Sequence, residues 1–288
     1  MLGVLGVGLS AIGRSLPGVA ASVASVSRSQ SLPGVAASVA SVSRSQVPAK
    51  APDPDIVIKG GHVVDARNNL SAVRDVLIKG GKISSVAANI QPAPGARVID
   101  AAGLYVTPGL VDMHVHVYPG ERPGTYAGGD LGLAPDGFTL RSCVTAVADA
   151  GSSGWRTFED FKKRIIDRQK TRVYAFLNIV GVGMREGNLE NNEADMDVQP
   201  TADMAMKHKG LIIGIKSAHY SGPGWGPYEK AEAVGKMAGI PVMVDFGSNL
   251  RNNRTIAELF TKYFRPGDIY THMYGGVRGE QDETTKGP

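Results

Sequence analysis

The chain has 288 residues, a formal charge of +4 and a single cysteine, Cys143. That length allows one large domain or two smaller ones around an ample core, and a lone cysteine excludes an intramolecular disulfide. The net charge sits in residues 1–50, which hold Arg14, Arg28, Arg44 and Lys50 and no acidic residue, so the remainder is neutral and a nucleic-acid surface is not expected.

Residues 1–52 read as a low-complexity leader. The stretch 15–30, S-L-P-G-V-A-A-S-V-A-S-V-S-R-S-Q, recurs unchanged at 31–46. Two Ser/Ala-rich copies cannot bury enough apolar surface to build a solenoid core. Ahead of them Leu2–Ile12 is apolar and is followed by small residues around Ala20–Ala24, which predicts export. The lack of acids also suits an organellar transit peptide, and a cytoplasmic chain is the remaining alternative. No run of eighteen or more apolar residues occurs, so no membrane-spanning helix is expected.

Residues 53–107 alternate short β-branched runs, I-V-I-K-G-G-H-V-V-D and D-V-L-I-K-G-G-K-I-S-S-V-A. Each carries a glycine pair, Gly60-Gly61 and Gly80-Gly81, which predicts two hairpin turns that need positive φ. His62 falls here, away from the other histidines, and reads as structural. Next comes P-G-L-V-D-M-H-V-H-V-Y, Pro108–Tyr118, a mostly apolar run that predicts a strand buried on both faces. Side chains at i and i+2 leave a strand on one face, so His114 and His116 can address one point as half a metal site. Two satisfied histidines at a strand end are the other reading of H-x-H.

From here strand and helix patterns alternate. Strands are expected at Val144–Ala148, Val173–Val180, Leu211–Ser217, Pro241–Phe246 and Asp268–Met273. Helices are expected at Thr157–Lys170, Ala202–Lys209, Tyr228–Ala238 and Thr255–Phe264. Such alternation predicts a parallel α/β architecture. Cys143, just ahead of a strand, reads as a buried structural thiol. If the strands form a barrel, chemistry belongs at their C-terminal ends. There the chain carries His114, His116, Asp149, Asn178, Lys216 with His219, Asp245 and His272.

The run V-x-P-G-L-V-D-x-H-x-H, placed after a β-rich segment, resembles the first barrel strand of the amidohydrolase superfamily of metal-dependent hydrolases. The wording is nearest its dihydroorotase-like and amidohydrolase/deacetylase branches, and the resemblance spans Asp55 to Gly276. It implies an α/β fold: a small β-sandwich over 53–107 followed by a TIM-type (β/α)8 barrel over 108–288. Only about six barrel strands can be placed where closure needs eight, so an incomplete barrel and a C-terminal truncation are expected.

The resemblance also implies a divalent metal, zinc foremost, as one or two ions. His114 and His116 would hold the first ion, a carboxylated Lys216 would bridge, and His272 would serve the second. Asp245 stands where the family usually has histidine, so either Asp245 binds directly or His219 takes its place. The family's general-base aspartate at the end of strand eight has no match here, which leaves the catalytic base unassigned. Tyr220 and Trp225, on the loop after Lys216, either wall the substrate pocket or pack the loop. The implied function is hydrolysis of a non-peptide C–N bond in an N-acylated or cyclic amide, with a small-molecule substrate and a homo-oligomer left open. The rival is a truncated, catalytically incompetent fragment that binds metal weakly or not at all.

Overall fold

A computed structural model describes residues 54–120, 134–184, 190–245 and 254–273. The leader with its repeat and export pattern, and the polar C-terminal stretch, lie outside the described residues. The chain divides into two compact units after Tyr105.

The first unit is a five-stranded sheet of β1 (Ile56–Asp65), β2 (Leu70–Lys79), β3 (Lys82–Ala87), β4 (Arg97–Asp100) and β5 (Tyr105–Val106), in the order β3-β2-β1-β4 with β5 pairing β1. Val57, Ile58, Val63 and Val76 are among its buried apolar residues. Gly80-Gly81 forms the β2–β3 turn, with φ of 53° and 74°, as a two-residue hairpin with positive φ at both positions requires. Gly60-Gly61 is not a turn. The pair lies inside β1 at a register shift against β2, a bulge that lets one long strand continue where a hairpin was expected. His62 is structural as expected, bonded through Nε2 to Ser71 Oγ at 2.9 Å and tilted against Tyr105.

The second unit holds six parallel strands in sequential order. They are β6 (Leu110–Val115), β7 (Val144–Gly154), β8 (Arg172–Asn178), β9 (Ile212–Ser217), β10 (Val242–Val244) and β11 (Ile269–Tyr270). Four helices lie between them: α1 (Phe158–Arg164), α2 (Val198–Lys207), α3 (Gly226–Ala238) and α4 (Ile256–Glu258), the last running on into a wider turn over Leu259–Tyr263. The expected helix over Thr255–Phe264 is thus α-helical for one turn only, and we have no physical account of the widening. α3 has Pro227 in its first turn and ends on Gly239 at φ 68°, the usual placing of proline inside a helix start and glycine past its end.

Strand periodicity separates the two faces of this sheet. Val147, Val173, Ala175, Leu177, Ile215, Val242 and Val244 join Phe158, Phe161, Ala202, Ala205, Tyr228, Ala231 and Val234 from the helices in one core. Residues of opposite parity, Ala148, Ala150, Phe176 and Met243, form a small cluster on the other face. Two residues further along their strands, Phe176 leads to Asn178, Gly214 to Lys216 and Met243 to Asp245. The inner face therefore ends in polar groups at one rim.

Two expectations are corrected here. β6 is not buried on both faces: Leu110, Val111 and Met113 are 52%, 59% and 55% exposed. Among the described residues it pairs only with β7 and is an edge of the sheet, so its apolar run lacks the second neighbour that an interior strand has. Cys143 is only partly buried and closes a short turn in the left-handed conformation, φ 61°. No helix among the described residues is long and apolar enough to cross a membrane.

Candidate functional site

Parallel strands present their C-terminal ends at one rim, and there the titratable residues gather. His114 lies near the end of β6 and His116 one residue beyond it. Lys216 is the penultimate residue of β9 and His219 follows two residues after that strand. Asp245 follows β10 directly, and His272 comes two residues after β11. Lys216 and Asp245 are fully buried.

Asp245 is the hub. Its Oδ2 lies 3.2 Å from His219 Nε2, 3.4 Å from His272 Nδ1 and 3.6 Å from Lys216 Nζ. Its Oδ1 accepts from the His219 backbone N–H at 2.6 Å. Burial pushes the Asp245 carboxyl up, but the His272 hydrogen bond and the charges of Lys216 and His219 outweigh it and hold the group well below the usual carboxylate range. The His114 ring packs edge-on against His272 at 4.9 Å and against His116 at 5.5 Å. His114 Nδ1 meets Thr271 Oγ1 at 2.8 Å and His116 Nδ1 meets Ser152 Oγ at 3.0 Å. With Nδ1 engaged, Nε2 is the nitrogen each ring has for an ion. Burial first, and then the Lys216 charge, lowers both imidazoles to about 4, so both are neutral at pH 7, the form that ligates metal.

Room for Lys216 comes from Gly151 in β7. A Cβ there would stand 2.5 Å from Lys216 Cγ and 2.8 Å from Lys216 Cβ, and the backbone φ of 96° suits glycine alone. The other two strand-end candidates have different work. Asp149, fully buried, accepts from the backbone N–H groups of Val117 and Ser152, each at 2.8 Å, and so ties the loop after β6 to β7. Burial pushes its carboxyl up to about 6. Asn178 donates to Gly151 O at 3.0 Å.

Glu190, which nothing in the sequence pattern singled out, also belongs to this rim. It is 5% exposed, and its Oε2 lies 2.6 Å from His219 Nδ1. It sits in a polar connection between β8 and α2 with no periodicity, so no sequence signal pointed to it. Tyr220 and Trp225 belong to the hydrophobic core. The Tyr220 hydroxyl donates to Glu193 and to Pro223 O, and Trp225 Nε1 donates to Glu258 at 3.2 Å. Their burial favours the loop-packing alternative over a pocket wall. Arg254 fastens the same loop, donating from Nη1 to Gly222 O at 2.6 Å and Gly224 O at 3.1 Å and from Nη2 to Tyr220 O at 2.9 Å.

Imidazoles, a carboxylate and an amine make a donor set suited to a borderline divalent ion. In a tetrahedral site with bonds of ~2.0–2.1 Å, neighbouring donor atoms stand ~3.3 Å apart, close to the spacings of His219 Nε2 and His272 Nδ1 from Asp245 Oδ2. The residue types therefore suit a metal, although among the described residues no group of three or more His, Cys, Asp or Glu is spaced to hold one as the side chains stand.

No protein-family model matches the chain. A deacetylase of Agrobacterium fabrum is 30% identical over 213 residues, covering 71% of this chain and 50% of the relative. A crystal structure of a dihydroorotase matches with a TM-score of 0.61 and 27% identity, over 76% of this chain and 57% of that one. A crystal structure of an adenine deaminase matches with a TM-score of 0.67 and 26% identity, over 81% and 61%. The chain spans about half the length of the curated relatives it matches.

Proposed function

We propose, from the premise that the chain belongs to the amidohydrolase superfamily, that its rim site hydrolyses the C–N bond of a small N-acylated or cyclic amide. The observation that carries this reading is the convergence on Asp245 of His219, His272 and Lys216, with His114 and His116 beside them. His114, His116, Lys216, Asp245 and His272 would hold one or two divalent ions, zinc foremost. Lys216, buried with its Nζ 3.6 Å from Asp245 Oδ2, would bridge two ions if it were carboxylated. A bound ion supplies Lewis acidity, polarising an amide carbonyl and making a water acidic near neutral pH.

The chain's own residues do the rest. Thr271 and Ser152 orient the two imidazoles of the H-x-H run through Nδ1, the outer-shell bonding that fixes a ligand's ring. Until Lys216 is carboxylated, Asp245 balances its ammonium charge in the buried interior. Water adds across the amide, leaving a carboxylate and an amine.

The test is a panel of N-acetyl amino acids, dihydroorotate and hydantoins incubated with the zinc-loaded full chain. Hydrolysis of at least one member that chelator abolishes and zinc restores is expected. A zinc-loaded chain inert on every member would overturn the hydrolase reading. The His114→Ala, His116→Ala double variant should lose ~10²-fold or more in rate, because the metal contribution rests on those ligands.

A further inference from the structure

Asp245 and Lys216 are not the only buried charges at the rim. Glu190 is nearly as buried, and its two oxygens are committed in different directions. Oε1 lies 3.4 Å from Asn178 Nδ2, and Oε2 lies 2.6 Å from His219 Nδ1. On the far side of the same imidazole, Nε2 stands 3.2 Å from Asp245 Oδ2. The backbone of His219 is held as tightly, its N–H donating to Asp245 Oδ1 at 2.6 Å. Its φ of 52° is in the left-handed region that non-glycine residues seldom occupy without cause. An exposed histidine in an ordinary surface ion pair requires neither a buried carboxylate behind it nor this backbone conformation.

We propose that Glu190 and His219 form a carboxylate–histidine pair that presents His219 Nε2 as a metal ligand, sharing an ion with Asp245 Oδ2. The carboxylate accepts a hydrogen bond from Nδ1–H, which fixes the tautomer and leaves Nε2 as the nitrogen aimed at the ion. Glu190 is then a positioning residue that acts through His219 and touches no substrate. The side chain of His219 is 38% exposed, whereas Asp245 is fully buried, so the imidazole is the solvent-reachable member of the pair. The third donor is at hand, since the rings of His219 and His272 are stacked with centroids 6.3 Å apart and both address Asp245 Oδ2. The site thereby draws an imidazole from the loop after β9 beside the aspartate after β10.

This inference rests on the metal reading above, and metal binding separates the two without an activity assay. The full chain is stripped with chelator and titrated with Co2+, following visible absorption and bound metal per chain. His219→Asn is the main variant, because asparagine tolerates left-handed φ. It should lose one bound Co2+, or, if the wild-type chain takes up only one, weaken it about 100-fold or more with a changed spectrum. Glu190→Gln should keep the stoichiometry and raise the Kd about 10–100-fold. If the wild-type chain binds Co2+ and His219→Asn matches it in Kd, stoichiometry and spectrum, this inference is wrong and the metal reading stands. If the wild-type chain binds no Co2+, the metal reading itself fails and takes this one with it. Should His219→Asn not fold, as judged by circular dichroism, Glu190→Gln decides alone, and an unchanged Kd overturns the pairing.

Discussion

The absent side chain of Gly151 decides where Lys216 can lie. Adding a Cβ would bring it to 2.5 Å from Lys216 Cγ, and the lysine stem, packed inside the sheet, has no room to retreat. Gly151→Ala should therefore cost about 1–3 kcal/mol as an overpacked core substitution, with further strain from the positive φ. A thermal melt measures the first effect. Metal content after zinc loading reads a second effect, loss of the ion that Lys216 would bridge on the proposed reading. Gly80→Ala, at a turn where nothing lies within 4 Å of the added carbon, serves as the comparison with strain but no clash. Glu190 and the His114/His116 pair show how differently residues of one site are visible in sequence. A histidine pair at i, i+2 on a strand carries a local rule. A glutamate in an aperiodic connection acquires its role only when folding brings it 2.6 Å from a histidine 29 positions away.

At the scale of elements, the connection entering β11 is built around Asp268. The carboxylate accepts from Val242 N at 2.8 Å, from the Arg265 backbone N–H at 3.0 Å, from the Arg265 guanidinium at 2.8 and 3.2 Å, and from the Tyr228 hydroxyl at 2.9 Å. It thereby ties β10, α3 and the segment before β11 together. Burial pushes its pKa up, but the Arg265 hydrogen bonds and the two backbone amides outweigh that and hold it below the ordinary value. A depressed folded-state pKa means stability that is fully present above the unfolded value of ~3.9 and lost as pH falls through the folded value. Asp268→Asn should lower stability at pH 7 by about 3 kcal/mol, the scale of a buried ion pair broken on one side. It should also flatten the loss of stability below pH ~4. Chemical denaturation across that range reads both. Arg254→Lys should loosen the loop 220–224, because one ammonium cannot reproduce a guanidinium fork to three carbonyls. Limited proteolysis should then cut within that loop, where the wild-type chain resists.

At the scale of the molecule, alternation of strand and helix patterns made the parallel sheet legible, because the two periods differ and each element buries one face. Strand position within the sheet was not legible. The apolar letters of β6 read as doubly buried, yet Val111 and Met113 are exposed at an edge, since hydrophobicity records what a residue favours and not how many neighbours the topology supplies. Gly60-Gly61 was misread for a related reason: a glycine pair suits a turn and a bulge alike, and only the register against β2 separates them. An exposed apolar edge is prone to pair with another chain. Val111→Lys with Met113→Lys should reduce whatever self-association the full chain shows in size-exclusion chromatography with light scattering, leaving far-ultraviolet circular dichroism unchanged.

The hydrogen bond from His114 to Thr271 joins the two outer strands of that sheet across 157 residues of sequence. Neighbouring strands need only short excursions of chain to meet, whereas this closure encloses nearly the whole unit, and the entropy of closing a loop grows with its length. Contacts of that kind form late. A polypeptide emerging from the ribosome acquires His114 and His116 early, but Asp245 and His272 follow only after β7 to β10 have been synthesised. On the proposed metal reading, the order of synthesis defers uptake of an ion until those strands are present, and the ion would act as a clasp on assembled strands rather than a nucleus for them.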